Sequence, residues 1–515
     1  MKKGFTLIEL LAVIVILAII ALIATPMILG VIDSAKKGAA ESSTYGYIDA
    51  IEKSDLKGMI ETGDYSTKKD GTYDLSTLTN VAYKGTAPTA VCVVMKDGSV
   101  ESGSFKFDQY VVDYQNGKAK VNREKTEVNC DPTVEKTIFD ETKGVNVPQL
   151  SKGMTPIKWN GTTWVDTSES DTDWYSYGTT TETKNWANAR TADGSMWVWI
   201  PRYIYKITSG WHSATTGTIE IQFTKNIDDN WNSSVIGNID NSTGASASNN
   251  KWTNHPTFTF GDDEVTGIWV AKFVASGTTS AIDIKPNVAS LRSVTIGTIF
   301  DASRSMETNE RYGWGATGNG IDTHLMKNVE WGAVAYLSKS VYGKDTEVWN
   351  NSNSAFKTGC AGSSVNVANE TLCNEYHTTL GVNASTTGTI YGIYDMSGGT
   401  YEYLAAYVNN GNANLTTNGL NIMNAPSKYK DVYQNYASTV NNKGDAIWEI
   451  SSAATGGTSW YADFSYMPDG SIPWFARGGY YTDTSNAGVF ALGRREGSAI
   501  NYVGFRPVLL VGEGL

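Results

Sequence analysis

The sequence predicts an α+β chain: a long N-terminal helix carrying a small antiparallel sheet head, followed by a large loop-rich α+β domain. Three observations lead there. Between Phe5 and Ile32 the only charged residue is Glu9, and Leu10 to Ala24 is unbroken apolar sequence. From about residue 88 to Cys130, apolar and polar residues alternate between DG and NG turns, the pattern of a meander or hairpin. Beyond residue 155, Trp, Tyr, Asn, Thr and Gly become dense and long helical periodicity nearly disappears.

Composition narrows the classes. The 515 residues suggest several domains. With 53 acidic against 41 basic side chains the net charge is −12, which speaks against a duplex-binding protein, and no nucleic-acid partner is expected. At 41% apolar, 11% aromatic and 18% charged, the chain has ample core material and is no disordered polymer. Four His and four Cys leave little room for a metalloenzyme or a dense disulfide scaffold. The 51 Gly, with frequent Thr, Ser and Asn, fit a turn-rich surface or secreted protein.

At the N-terminus, Lys2 and Lys3 form the positive flank of a run long enough to cross a ~30 Å hydrocarbon layer. A secretory signal would place its small residue after the apolar run. Here Gly4 precedes it and a carboxylate, Glu9, sits inside it. KGFTLIELLAVIVILAIIALIA closely resembles the class III signal of type IV pilins and pseudopilins. The resemblance implies that residues 1–4 are a leader, cut after Gly4 by a prepilin peptidase/N-methyltransferase that then methylates Phe5. It also implies that residues 5–33 form a hydrophobic helix, held in the cytoplasmic membrane before assembly and in a filament core after it. Glu9 would neutralise the N-terminal ammonium of Phe5 in the same or a neighbouring subunit, since a buried carboxylate without a partner costs several kcal/mol. Pro26 falls at a helix-kinking position. Other pilin subunits and the pilus assembly platform are the implied partners.

The helix is expected to continue through residues 30–60, with Val31, Ala35, Ala39, Tyr45, Ile48 and Ile51 as its apolar stripe. It would pack on strands in APTAVCVVMKDG, VESGSFKFDQYVVDYQNG and KAKVNREKTEVNC, giving a pilin head over residues 34–130. Cys92 and Cys130 bracket these strands; a disulfide between them is expected in an exported chain, with two free buried thiols the alternative. Residues 131–155 are polar and punctuated by Pro and Gly, and read as a linker.

Residues 156–515 form the second domain. Met196–Ile207 and Gly267–Ser276 read as strands, and Thr323–Gly343 as its one clear helix, with Met326, Val329, Ala333, Tyr336 and Leu337 at helical spacing. Three later segments complete the landmarks: YDMSGGTYEY within Ile390–Val408, ARGGYY within Trp474–Phe490, and VGFRPV within Asn501–Leu510. With NVEWGAVAYL, and in this order, they resemble the formylglycine-generating sulfatase-modifying family over roughly residues 195–512. That resemblance implies a C-type-lectin-like fold. Gly398, Gly399, Gly478 and Gly479 would permit its tight turns, and Glu402 and Arg506 would be buried, paired with backbone or with each other.

Catalysis does not carry over with the fold. The family's oxidases use a cysteine pair near the closing strand, and no Cys lies between Gly478 and Leu515. Cys360 and Cys373, in CAGSSVNVANETLC, suit a surface-loop disulfide; a zinc site with His377 is the alternative. No cofactor is expected. The acidic clusters NIDDN (226–230) and GDDE (261–264) could hold Ca²⁺, with solvated loops the plainer reading. No phosphate-binding loop, nucleophile elbow or HExxH occurs, and nothing beside His212, His255, His324 or His377 marks an activated nucleophile. The chain is therefore expected to be a binder rather than an enzyme.

The tail offers a recognition surface: Tyr480, Tyr481, Asp483, Asn486, Arg494, Arg495, Asn501 and Tyr502 are side chains of adaptable binding faces. The arrangement is similar to C-type-lectin-like proteins diversified by retroelements; an ordinary fold-closing hairpin is the alternative. The expectation for the whole chain is a minor type IV pilin at the tip of a surface filament, displaying a lectin-like domain that binds a surface, glycan or protein ligand outside the cell. A pseudopilin of a secretion or DNA-uptake system, and a pilus-carried enzyme, are the alternatives.

Overall fold

The computed structural model describes residues 33–53, 71–75, 83, 85–96, 99–115, 117–122, 128, 139–225, 251–315, 320–434, 442–452 and 457–512. The chain divides into two compact units between Lys136 and Thr137. The described residues are mostly sheet with few helices, so the second domain is β-rich rather than an even mixture of helix and sheet. Gly4, Phe5, Glu9 and Pro26 lie outside the described residues, and so does the long apolar helix expected over 5–33, apart from Asp33. Among the described residues no helix is long and apolar enough to cross a membrane.

In the first unit a helix, α1 (33–53), accompanies a five-stranded sheet. The strands Ala90–Lys96, Ser99–Phe107, Tyr110–Gln115 and Lys118–Asn122 form the antiparallel meander that the alternation predicts. A fifth strand, Gly71–Asp74, lies beyond them and carried no sequence signal. Val91, Val93, Phe105, Phe107 and Val112 pack with Ala40, Tyr47, Ile48 and Ile51 of α1. The buried stripe of the helix is thus Ala40, Thr44, Tyr47, Ile48 and Ile51, while Ala35, Ala39 and Tyr45 of the expected stripe are exposed and Val31 lies outside the described residues. The phase differs because α1 also serves the sheet edge. The Tyr45 hydroxyl accepts the Ala119 N–H at 2.8 Å and the Glu41 carboxylate accepts that of Val121 at 2.9 Å. Both donors belong to the edge strand Lys118–Asn122, whose unpaired N–H groups would otherwise be open to another chain. Cys92, on the strand Ala90–Lys96 next to the edge strand Gly71–Asp74, is disulfide-bonded; Cys130 lies outside the described residues.

The second unit is built on two larger sheets. The first is antiparallel throughout, in the order Ile321–Leu325, Pro507–Val511, Gly267–Ala271, Met196–Pro201, Asn188–Arg190, Thr155–Trp159 and Trp164–Asp166. The second is mixed, around the buried strand Tyr401–Val408, which pairs antiparallel with Trp474–Gly478 and parallel with Val503–Phe505. Helices α2 (Ile296–Ser305), α3 (Asn328–Lys339) and α4 (Ala413–Asn424) belong to the same unit.

Two expectations change here. Residues 139–155, read as linker, are folded into this unit. Phe139–Asp140 pairs with Val145–Asn146, Val145 is fully buried, and the Gln149 carbonyl accepts the Trp269 indole at 2.6 Å. The helix expected from Thr323 begins at Asn328, because Ile321–Leu325 is a strand closing the edge of the first sheet. Glu330 sets the helix start by accepting the Lys327 N–H at 2.7 Å. From Glu330 to Lys339 the helix is buried all round, which is why it lacks a clean apolar stripe.

The glycines of the SGG and RGG segments lie in tight turns. Gly398 has φ +74°, and a Cβ there would meet the Asn351 carbonyl oxygen at 2.5 Å. Gly479 has φ +75° with Ala487 Cα at 2.7 Å from its Cβ position. Arg506 sits where the chain leaves the second sheet at Phe505 and joins the first at Pro507. It grips Glu402 through two bonds, Nη2 to Oε1 at 2.7 Å and Nε to Oε2 at 3.0 Å, with both side chains fully buried. The expected pairing of these two residues is what the structure holds.

Candidate functional site: a tyrosine and arginine face

The turn between strands Trp474–Gly478 and Gly488–Arg495 carries Tyr480, Tyr481, Asp483 and Asn486. Four contacts hold it. The Tyr480 N–H donates to Asp483 Oδ2 at 3.1 Å, and the Tyr481 N–H to the Gly399 carbonyl at 3.1 Å. The Tyr481 carbonyl accepts the Asn369 N–H at 2.9 Å, and Asn350 Nδ2 donates to the Thr484 carbonyl. Asn369 belongs to the loop closed by the Cys360–Cys373 disulfide, so that bond anchors the loop flanking the turn. Because both sulfurs are in the disulfide, neither is a thiolate for the alternative zinc site with His377.

Rings gather beside this turn. Tyr480 lies 5.6 Å from Tyr401 and 4.9 Å from Tyr502, with interplanar angles of 28° and 31°. Tyr481 meets Tyr480 edge-on at 5.6 Å and Phe356 edge-on at 4.7 Å. The Arg495 guanidinium lies 4.0 Å over the Tyr401 ring and 5.5 Å from that of Tyr502. The Arg292 guanidinium lies 3.8 Å over Phe356 and donates to the Asn501 carbonyl. Burial pushes the Asp483 carboxyl up, opposed by hydrogen bonds from the Tyr401 hydroxyl and the Tyr480 N–H and by the charge of Arg495. Tyr401 is buried, whereas Tyr480, Tyr481 and Tyr502 are half-buried.

Of the eight candidates, Tyr480, Tyr481, Asp483, Arg495 and Tyr502 come together. Asn501 contributes its carbonyl and is exposed; Asn486 is exposed at the far end of the turn. Arg494 departs from the expectation. It pairs with Asp469 and lies 3.9 Å over Tyr466, because consecutive residues of a strand face opposite ways. Three members of the cluster were missed: Tyr401, Phe356 and Arg292. Tyr401 stood inside a motif read only as fold-defining, and the other two come from segments with no motif at all.

The remaining chemistry-bearing groups are engaged elsewhere. NIDDN lies outside the described residues; in GDDE, Glu264 is taken by Arg202 at 2.6 Å and by the Thr259 hydroxyl at 2.7 Å. Among the described residues no group of three His, Cys, Asp or Glu is placed to hold a metal ion. His212 stacks on Trp448 at 3.7 Å, and burial pushes the His255 imidazole down to about 3. His324 has a carboxylate on each ring nitrogen, and His377 lies 3.6 Å from Glu375.

No curated protein matches the chain. Among solved structures it is similar to "Major Tropism Determinant P3c Variant" at 11% identity, over 84% of this chain and 83% of that one, with a TM-score of 0.23. A likeness this slight carries no argument about fold or function. The N-terminus gives the firm result: residues 1–25 match the family described as the prokaryotic N-terminal methylation motif, the signal of type IV pilins, so the chain carries the processing and assembly signal of a pilus or secretion-system subunit.

Proposed function

We propose that the chain is a minor type IV pilin whose C-terminal unit is a lectin-like, non-catalytic display domain for adhesion. The observation that carries the reading is the methylation motif at residues 1–25, in one chain with a half-buried face of clustered tyrosines and arginines. Cleavage after Gly4 by a prepilin peptidase frees Phe5 for methylation. Glu9 then offsets the Phe5 ammonium as the apolar helix moves from membrane to filament. Tip placement follows from size, since a domain this large would crowd a helical array of repeated subunits. The tyrosine face suits recognition because Tyr presents a large, rigid surface with a polar end at low entropic cost. The net charge of −12 disfavours a DNA-uptake role.

Two measurements test this. Mass spectrometry of filaments sheared from cells is expected to find a mature N-terminus at N-methylated Phe5, at low stoichiometry to the other pilins. An intact Met1 confined to the membrane fraction would sink the pilus assignment. Separately, Tyr480→Ser with Tyr502→Ser is expected to reduce adhesion of intact cells about tenfold or more, as loss of two hot-spot aromatics does, while the filaments still assemble. Unchanged adhesion with normal assembly would remove this face from the function.

A further inference from the structure

We propose that the tyrosine face recognises a carboxylate-bearing saccharide, with Arg292 and Arg495 as the forks that take its carboxylates. The inference rests on the adhesive reading of the same face and names its ligand class. Most arginines of this unit are committed to internal partners. Arg190, Arg202, Arg304, Arg311, Arg494 and Arg506 each pair with a carboxylate. Arg477 is fully buried and donates to Asn328 Oδ1 and to the carbonyls of Asp445 and Ala446. Among the described arginines, only Arg292 and Arg495 combine partial exposure with the lack of an ion pair, and both belong to this one cluster.

Their hydrogen bonding leaves donors over. Arg292 donates to the carbonyls of Ser290 and Asn501; Arg495 donates Nη1 to the Arg494 carbonyl at 2.7 Å and a further N–H to the Tyr401 hydroxyl. Each guanidinium is already seated over a ring, so little rotamer freedom remains to be lost when a carboxylate docks on its open N–H groups. The nearby carboxylate, Asp483, is occupied by Tyr401 and by the Tyr480 N–H.

The tyrosines supply the other half of the ligand. Buried tyrosines of this unit spend their hydroxyls on the fold: Tyr177 on the Trp199 carbonyl, Tyr203 on that of Ala333, Tyr403 on that of Ser498. The hydroxyls of Tyr480, Tyr481 and Tyr502 make no hydrogen bond among the described residues, although their rings are half-buried. Flat rings with open hydroxyls fit a pyranose, whose C–H face stacks while its hydroxyls exchange hydrogen bonds. A single-stranded nucleic acid would also use rings and arginines, but it needs a run of cations along several phosphates. Two arginines in a chain of charge −12 do not provide one.

The test uses the full-length protein in detergent, titrated with trigalacturonic acid, with neutral galactotriose and with a short single-stranded oligonucleotide, followed by ligand-observed NMR. The acidic trisaccharide is expected to bind about tenfold or more tightly than the neutral one, the effect of a charge-assisted hydrogen bond. Arg292→Gln with Arg495→Gln is expected to remove that preference and leave neutral binding in place. Equal affinity for the two sugars would overturn the carboxylate inference while leaving the face a binding site, and so would tighter binding of the oligonucleotide. Loss of the preference in the wild type together with undiminished adhesion by the Tyr480→Ser, Tyr502→Ser cells would show that the adhesive reading itself had failed.

Discussion

Glu402→Ala is expected to destabilise the second unit by about 3–5 kcal/mol, seen as a lower urea midpoint by tryptophan fluorescence. Arg506 is the reason. Its guanidinium is fully buried where the chain passes between the two sheets, held by both Glu402 oxygens and donating to the carbonyls of Ala271 at 2.6 Å and Tyr394 at 2.8 Å. Removing Glu402 leaves a buried cation whose hydrogen-bond acceptors are two backbone carbonyls, with the Asp395 carboxyl acting on it only from beyond ion-pair distance, and the cost of that exceeds the worth of the pair itself. The double replacement Glu402→Leu, Arg506→Met removes both charges and is therefore expected to unfold at a higher urea concentration than Glu402→Ala alone. A single variant as stable as the wild type would mean that the backbone carbonyls suffice to hold Arg506.

The burial of Glu402 and Arg506 was legible in the sequence through the resemblance their motifs carry, with backbone or each other left open as partners. The structure makes each the partner of the other, with backbone carbonyls completing the shell of Arg506. The alternation of residues 90–122 likewise pointed to strands in a meander or hairpin, because a period of two marks a half-buried strand, and the structure holds the meander. The stripe of α1 was misphased since Glu41 and Tyr45 answer to a sheet edge, which no helical periodicity reveals. The start of α3 was misplaced for a similar reason: Thr323, His324 and Leu325 fit a helix locally, but pairing with Pro507–Val511 makes them a strand. At the tyrosine face, Tyr480 to Asp483 announced themselves by composition. Arg292 and Phe356 could not, since only the long-range fold brings them there, and strand alternation separated Arg494 from Arg495 although the two are adjacent in sequence.

His324 should make the second unit less stable as the solution turns alkaline. Its Nδ1 is 2.8 Å from Asp322 and its Nε2 is 2.8 Å from Glu330, and the ring is fully buried against Phe260. A neutral imidazole has one N–H and could serve only one carboxylate; two at this distance require the imidazolium. Burial opposes the charge, but Glu330 and Asp322 outweigh it and hold the imidazole above its ordinary range. Asp322 and Glu330 are held below theirs by the same contacts, against their own burial, with Arg304 and Tyr429 helping the first and Lys327 the second. Glu307 and Asp431 stand around the same network and are pushed up, chiefly by burial. A raised imidazole contributes fully below its unfolded value of about 6.5 and loses that contribution as pH rises through the higher folded value. The two depressed carboxylates contribute above their unfolded values near 4 and lose it as pH falls. Stability from this triad should therefore hold between about pH 5 and neutrality and decline on either side. His324→Gln keeps a side-chain donor but no charge, so at pH 6 it should cost roughly 3 kcal/mol or more, because two buried carboxylates lose their shared cation. It should also flatten the alkaline limb of the urea midpoint measured from pH 6 to 10. A variant whose alkaline limb matches that of the wild type would show that the loss comes from another group, and that the imidazole between Asp322 and Glu330 is neutral.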